Sequence, residues 1–243
     1  MVLGVHMNKM LKKLQQRGDV WSAAQVDNSY AMIDSGYQTL NRHLKGGLPK
    51  NGVIEVQSIA GIGELRLFMP FLLQLTQDNA SHARKIVLIA PPGQVNALMF
   101  AQQGISPELV IIIEAFESTE ALWAAEQCLK SGSCVAVLLW QQALAVHQVK
   151  RLKQAALQGD AVQVLFRAKQ CLDVPLPVSL SIVLSPHEQG LEVEIKKQQG
   201  HWPQQAFVLD MQAQWPCLTQ VPLASNVVPL STIKGAMKAA KVG

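Results

Sequence analysis

The residues with the clearest chemical meaning are 58–65, a loop between an apolar strand and a helical pattern. In a loop that binds ATP, glycine amides surround the phosphates, a lysine neutralises them and a Ser or Thr hydroxyl ligates Mg²⁺. Here Gly63 keeps the second glycine position, but Ser58 replaces the first. Glu64 stands where the lysine belongs and would repel a triphosphate. Leu65 offers Mg²⁺ no ligand, so the sequence predicts a degenerate loop.

Two further positions that ATP hydrolysis needs also lack carboxylates. The metal-binding Asp would end the strand at 134–140, where Trp140 stands. The second strand ends in Ala-Pro-Pro-Gly at 90–93, which holds no catalytic acid. We therefore predict a binding protein without enzyme activity or cofactor. The amides of Gly61 and Gly63, at a helix N-terminus, leave open the binding of a single anion.

Other site chemistry has little support in the sequence. The four cysteines have no metal-ligand spacing, and the six histidines stand apart from any nucleophile and carboxylate in a triad pattern. We therefore expect reduced thiols and no metal. A composition of 49% hydrophobic and 16% charged residues predicts a folded core.

The distribution of charge and the lack of long apolar runs bear on location and partners. Residues 1–50 hold seven Lys and Arg against three Asp, within a chain of net charge +4. This basic segment fits either an acidic or nucleic-acid partner or a solvated helix face. No apolar run reaches membrane-spanning length, and no secretory signal is recognisable, with Met7 giving the more ordinary start. We expect a cytoplasmic protein.

The pattern beyond residue 52 alternates short apolar runs with helical periodicity, which predicts an α/β fold with a mostly parallel sheet. The runs are continuously apolar, as strands covered by helices on both faces require. Residues 178–184 and 191–195 alternate instead, which predicts an antiparallel hairpin at the sheet's edge. We expect a basic N-terminal arm at 1–33, an α/β core at 34–210 and a proline-containing tail at 211–243. The five core strands are predicted at 52–57, 85–90, 109–114, 134–140 and 161–167.

Two groups of residues are candidates for contacts with partners. Clustered cations predict a weak, non-specific contact with single-stranded DNA. Apolar residues near the two ends of the chain predict protein docking, whereas Trp123 and Trp140 are expected to pack in the core. Met10, Leu11 and Leu14 fit one helix face, which either docks on a neighbour or packs on the chain's own core. The candidate DNA contacts are Lys150, Arg151, Lys153, Arg167 and Lys169, and the candidate docking residues are Met10, Leu11, Leu14, Trp202, Trp215, Ile233 and Met237.

The segment leading into the first core strand resembles the bacterial recombinase RecA. The likeness rests on Asp-Ser-Gly at 34–36 and Gly-Gly-Leu-Pro at 46–49, and it continues through Gly104-Ile105 and 120–122. It implies a RecA-like P-loop NTPase fold with a C-terminal antiparallel hairpin. RecA grips DNA with loops after the fourth and fifth core strands. Here the first of these connections is mostly helical and the second is short, which argues against strand exchange.

A more specific resemblance is to the ImuA family, the RecA-like proteins of SOS mutagenesis cassettes. It implies a non-catalytic accessory protein of translesion DNA synthesis that acts with an ImuB-type polymerase-like partner and an error-prone DNA polymerase, and with RecA itself as a further candidate partner. The resemblance is carried by residues 17–21, 61–66, 90–92, 122–127 and 138–140.

The cell division inhibitor SulA is an alternative relative. The likeness lies in residues 67–75 and 129–167, including the turn at 159–161. It implies an SOS division inhibitor that caps the division protein FtsZ. It leaves Gly-Gly-Leu-Pro at 46–49 and the hairpin unexplained.

Overall fold

The computed structural model describes residues 31–78, 83–169, 176–198 and 205–216. The helices in these ranges are α1 Gln38–His43, α2 Glu64–Asp78, α3 Ala97–Gln102, α4 Ser118–Lys130 and α5 Val146–Gln158. The strands are β1 Met32–Ile33, β2 Leu48–Pro49, β3 Gly52–Gln57, β4 Lys85–Ile89, β5 Val110–Ile113, β6 Cys134–Trp140, β7 Val162–Arg167, β8 Leu180–His187, β9 Gly190–Gln198 and β10 Phe207–Asp210.

Eight of these strands form one mostly parallel sheet in the order β10-β9-β8-β3-β7-β6-β4-β5. The five strands from β3 to β7 pair in parallel, and β8 joins β3 in parallel as well. Only β8-β9 and β9-β10 are antiparallel among the described pairs of this sheet. The predicted α/β class with a mostly parallel sheet is confirmed.

The five predicted core strands are present, with bounds that agree to within one residue. β3 and β6 have the predicted bounds, and β4, β5 and β7 are each slightly shorter. Six of the seven residues of β6 are buried, because helices cover the sheet on both faces. Continuous burial explains the apolar runs of β3, β4, β6 and β7, whereas the residues of β5 are exposed or half-buried.

The core lies in two layers, one on each face of the sheet. One layer surrounds α2, whose Phe68, Phe71 and Leu72 are fully buried. The other lies under α4 and α5 and contains Ala125 and Leu152. The loop before α2 is thus anchored by a helix that is buried along most of its length.

The C-terminal hairpin lies inside the sheet, so its predicted position at the edge is wrong. β8 is covered by β3 on one side and β9 on the other, and β10 forms the edge. Residues Leu180–Leu184 are all buried. The alternating pattern predicts that Ser181 faces solvent, but Ser181 is enclosed together with its apolar neighbours. The turn is also shorter than the gap between the two predicted segments, which end at 184 and begin at 191, because His187 pairs directly with Gly190.

The packed structure continues beyond the expected core boundary at residue 210. Met211 and Trp215 are 1% and 8% exposed and belong to the core. The indole Nε1 of Trp215 donates a hydrogen bond to the Tyr37 hydroxyl, 3.2 Å away. The first residues of the expected tail are therefore part of the fold.

The chain also packs closely just before α1. Gly36 has φ +83, and a Cβ there would lie 2.2 Å from Pro70 of α2.

Candidate functional site

The loop between β3 and α2 is closed by its own glutamate. The Glu64 carboxylate accepts hydrogen bonds from the Gly61 amide at 3.0 and 3.1 Å and from the Gly63 amide at 3.1 Å. The side chain is 5% exposed, although it carries a charge. Glu64 is the first residue of α2, where the helix dipole favours a negative charge. The loop thus binds a carboxylate of the same chain through the amides expected to surround a phosphate.

This arrangement adds to the expectation drawn from the sequence. The sequence predicts that Glu64 repels a triphosphate, and the structure places the carboxylate on the loop amides themselves. A phosphate would need to displace a buried, hydrogen-bonded carboxylate to reach them. The single anion left open at the amides of Gly61 and Gly63 faces the same competition. The loop therefore combines the loss of the lysine with an internal occupant of its amides.

The backbone of the loop keeps the conformation that its glycines permit. Gly61 and Gly63 have φ +86 and +101, a region that other residues rarely adopt. A Cβ on Gly63 would lie 2.2 Å from the Arg66 guanidinium. The two glycines therefore direct the amides toward Glu64.

A cleft of about 470 Å³ lies beside the loop at the carboxyl ends of three strands. Trp140 of β6 and Phe166 of β7 form one wall, with ring centroids 4.6 Å apart and planes 12° apart. Trp140 stands where a metal-binding Asp would end β6, and it packs against the core as predicted. The cleft therefore presents a stacked aromatic pair where phosphate chemistry would need a carboxylate. Its lining residues are Ser58, Ile59, Ala60, Glu64, Trp140, Gln142, Phe166, Arg167, Ala168 and Lys169.

A buried charged network lies beneath this cleft, and the sequence analysis missed it. Arg167 Nη1 donates to Glu55 Oε1 at 2.6 Å, and the Ser181 hydroxyl donates to Glu55 Oε2 at 2.7 Å. Glu55 and Arg167 are 4% and 7% exposed. The three residues lie on the adjacent strands β3, β7 and β8. A charged residue within an otherwise apolar strand was the signal available in the sequence.

The five candidate DNA contacts are not equivalent in the structure. Arg167 is buried against Glu55, so its inclusion in a surface patch is corrected. Arg151 forms an ion pair with Glu126 of α4. Lys150 is exposed on α5, and Lys169 Nζ donates to the Ser185 hydroxyl at 3.0 Å. A weak DNA contact through Lys150, Lys153 and Lys169 stays a prediction, testable by salt-dependent binding of labelled single-stranded DNA.

The expectations for three tryptophans and the docking residues have different outcomes. Trp215 was predicted as an exposed anchor, and it is buried. Trp123 was expected in the core, but it is 66% exposed, because its side of α4 faces away from the layer that Ala121 and Ala125 join. The remaining docking candidates lie outside the described residues. They are Met10, Leu11, Leu14, Trp202, Ile233 and Met237.

Replacing Glu64 with glutamine is expected to lower the free energy of unfolding by about 1–2 kcal/mol, through the loss of charge-assisted hydrogen bonds and of the favourable helix-dipole interaction. Urea denaturation measures this change. Glu120→Gln is the matched control, because Glu120 also lies in the first turn of a helix but is exposed. It should cost less than about 0.5 kcal/mol. Equal losses for the two variants would contradict the role assigned to Glu64.

Among the residues that the structure describes, no helix is both long and apolar enough to cross a membrane. No cluster of three or more His, Cys, Asp or Glu side chains with a metal-binding arrangement occurs in the same ranges.

With the mostly parallel α/β sheet and its self-occupied loop described, the chain can be compared with known proteins. The family model for the cell division inhibitor SulA matches residues 56–163. SulA of Pseudomonas aeruginosa strain PAO1 is 29% identical over 97 residues, which are 40% of this chain and 59% of that protein. The crystal structure of SulA from the same species is 27% identical, covers 47% of this chain and 97% of that chain, and has a TM-score of 0.40. The chain thus contains a SulA-like segment.

The SulA-like segment covers a defined part of the fold. It begins at the end of β3, includes the loop with Glu64, and ends early in β7. It leaves out β1, β2 and the strands β8 to β10. The chain spans 59% of the length of the curated relative that it matches.

Proposed function

We propose that this chain is a non-catalytic protein-binding module of the bacterial SOS response, built on a RecA-like core. The observation that carries the non-catalytic part is the bonding of the Glu64 carboxylate to the Gly61 and Gly63 amides. The RecA-like assignment is supported by the strand, loop and helix at β3 and α2, with parallel strands on both sides of β3. The SulA-like segment supports the connection to the SOS response.

Nucleotide binding and hydrolysis test the non-catalytic part. Titration calorimetry with MgATP is expected to give no binding heat, and phosphate release should stay at background. The Gly61→Ala and Gly63→Ala variants serve as controls, since neither should change a background rate. Hydrolysis above background that these substitutions abolish would refute the proposal.

The comparisons favour cell division as the process on which the module acts. In this interpretation the chain inhibits division as SulA does, by capping FtsZ. The supporting observations are that the SulA family model matches residues 56–163 and that the curated SulA is 29% identical over 97 residues. Overproduction should then produce filamentous cells, and the purified protein should lower the amount of FtsZ that sediments as polymer. Normal cell length with unchanged FtsZ sedimentation would exclude this activity.

A different observation favours translesion synthesis as the process. Strands β8 to β10 and the buried Trp215 extend the folded sheet well beyond the SulA-like segment. The hairpin β8-β9 belongs to the fold that the RecA resemblance implies, whereas the SulA resemblance leaves it unexplained. In this interpretation the partners are an ImuB-type protein and an error-prone polymerase, with RecA as a further candidate.

Co-purification separates the two processes. Immobilised protein is incubated with purified FtsZ, with an ImuB-type protein and with RecA in separate experiments. Retention of the ImuB-type protein, reduced by deletion of residues 217–243, is expected for the translesion role. Retention of FtsZ alone supports division inhibition, and retention of neither refutes both partner assignments.

A further inference from the structure

One edge of the main sheet carries an unusual concentration of exposed apolar side chains. Ile111 and Ile112 of β5 are 42% and 46% exposed, and Phe116, which follows β5, is 92% exposed. We refer to these three residues as the β5 edge. Scattered exposed apolar residues are ordinary, but three large ones within six positions at one edge mark an interaction surface.

The backbone at this edge is open to a further strand. β5 is the last strand of the described sheet and pairs with β4 alone in the part of the chain that the structure describes. The Ala90 amide donates to the Ile113 carbonyl at 3.0 Å, so the backbone groups of Ile113 point toward the β4 side. Because neighbouring residues of a strand point their N–H and C=O groups to opposite sides, those of Ile112 point away from β4. An added strand can therefore pair there.

Within its four residues, β5 has none of the protective residue types that are common in edge strands. Its sequence, Val-Ile-Ile-Ile, contains no lysine, no proline and no charged residue. Native edge strands normally carry such residues or bulges, because an unprotected apolar edge pairs with other chains. An edge left in this state is explained by a partner that covers it.

Both faces of β5 offer apolar contacts to an added strand. Val110 packs against the core layer around α2, and Ile112 lies on the same face of β5. Ile113 packs against the layer under α4 and α5, and Ile111 lies on that other face. Ile112 and Phe116 line a cleft of about 700 Å³ together with Pro91 and Pro92. A strand of alternating side chains would therefore find apolar surface on each face.

The charges around the β5 edge indicate the kind of partner. Residues 86–129 contain five glutamates and no lysine, arginine or aspartate, and Lys85 of β4, just before this range, donates from Nζ to the Glu108 carbonyl at 3.1 Å. Glu126 is paired with Lys130 and Arg151, which lowers the pKa of its carboxyl, chiefly through the hydrogen bond from Lys130. The other four are exposed, and none of them forms an ion pair with a described residue. These four are Glu108, Glu114, Glu117 and Glu120.

We propose that the β5 edge binds an extended, apolar segment of a partner protein that carries Lys or Arg at its ends and joins the sheet as an additional strand. Glu108 and Glu114 flank β5 directly, so cations at both ends of a short added strand would face carboxylates. Main-chain hydrogen bonds would supply affinity and the alternating side chains specificity.

Charge disfavours a second copy of this chain as the occupant of the edge. A two-fold-symmetric, antiparallel pairing of β5 with β5 of a second copy would bring Glu108 of one copy beside Glu114 of the other. The proposal for the β5 edge does not depend on whether the process is cell division or translesion synthesis. It rests on the proposed function only because it requires a protein partner.

Fluorescence anisotropy with a synthetic peptide tests the surface directly. The probe has alternating valine and threonine over five residues, two lysines at each end and a fluorescein label, and its counterpart has glutamates in place of the lysines. The wild-type chain should bind the lysine peptide, more weakly as salt increases, and should not bind the glutamate peptide. Failure to bind the lysine peptide, or equal binding of both, would overturn the proposal.

Two edge variants and a matched control locate the binding. Ile112→Lys and Phe116→Ser change exposed positions and should weaken peptide binding about ten-fold or more. Val208→Lys is the control, because Val208 is a 37% exposed apolar residue on the opposite edge strand, β10. It should leave binding unchanged. Thermal melting of each variant verifies folding, and undiminished binding by both edge variants would overturn the proposal.

The same variants distinguish this proposal from the proposed function. If wild-type protein retains FtsZ or the ImuB-type protein and both edge variants retain as much, the β5 edge proposal fails while the proposed function stands. If wild-type protein retains neither but binds the lysine peptide through the edge, the partner assignments fail instead. Sedimentation analysis that finds an oligomer converted to monomer by Ile112→Lys would identify a second copy as the occupant and overturn the proposal.

Discussion

Arg167→Met is expected to lower the free energy of unfolding by about 3–5 kcal/mol, because it leaves a buried carboxylate without its counter-charge. Arg167 Nη1 lies 2.6 Å from Glu55 Oε1, and both side chains are almost fully enclosed. The Ser181 hydroxyl would remain as a hydrogen-bond donor, but it cannot neutralise the charge of Glu55. Urea denaturation monitored by circular dichroism measures the loss.

A double variant and a surface variant make this prediction specific. Glu55→Leu combined with Arg167→Met removes both charges and should recover most of the stability, since replacement of a whole buried pair by apolar residues is often nearly neutral. Lys169→Ala removes a neighbouring cation from the surface and should change the stability by less than about 0.5 kcal/mol. A cost for Arg167→Met as small as that of Lys169→Ala would contradict the buried network.

The consequence for function is that Arg167 acts inside the fold. Its guanidinium joins β7 to β3, and Glu55 is joined in turn to β8. A loss of DNA or partner binding in an Arg167 variant would therefore first reflect a change in the sheet. Functional tests of the candidate DNA contacts are informative at Lys150 and Lys169, which lie on the surface.

Trp215→Ala is expected to lower the free energy of unfolding by about 3–5 kcal/mol, as for other large buried aromatic residues. The indole is 8% exposed and donates to the Tyr37 hydroxyl. That hydroxyl donates in turn to the Arg66 carbonyl at 3.3 Å, in the first turn of the helix that follows the degenerate loop. Burial raises the pKa of Tyr37 to about 12, in agreement with an enclosed phenol.

Trp215→Phe separates packing from hydrogen bonding at this position. It keeps most of the apolar contact and loses the indole donor, so it should cost less than Trp215→Ala, about 1–2 kcal/mol. Chemical denaturation of the two variants and the wild type gives the comparison. A Trp215→Ala variant as stable as the wild type would mean that the core does not need residues beyond β10.

These two predictions concern residues whose roles local sequence patterns could not reveal. Arg167 follows a run of apolar residues and was assigned to a surface patch, because the sequence does not show a partner 112 positions earlier in the chain. Trp215 stands beside a proline in a segment without periodicity and was taken as exposed. In both cases the deciding contact joins residues that only the folded sheet brings together.

Features that depend on neighbouring residues were predicted correctly. The continuous apolar runs located the five parallel strands to within one residue. For β3, β4, β6 and β7 the reason is that strands covered on both faces need an apolar side chain at nearly every position, whereas β5 is equally apolar but partly exposed. The absence of a lysine at 64 and of a hydroxyl at 65 is read directly from the sequence, and the interpretation of this loop as a degenerate phosphate-binding loop stays a prediction.

Tertiary structure decided what these elements do together. It turned Glu64 back onto the loop amides, enclosed β8 within the sheet and left Trp123 and Phe116 exposed. None of these outcomes follows from local periodicity, because each depends on which strand or helix lies alongside. The sequence by itself therefore determined the α/β class and the chemical groups present in the loop at 58–65. The order of the strands determined which charges are buried and which apolar edge is left open to a partner.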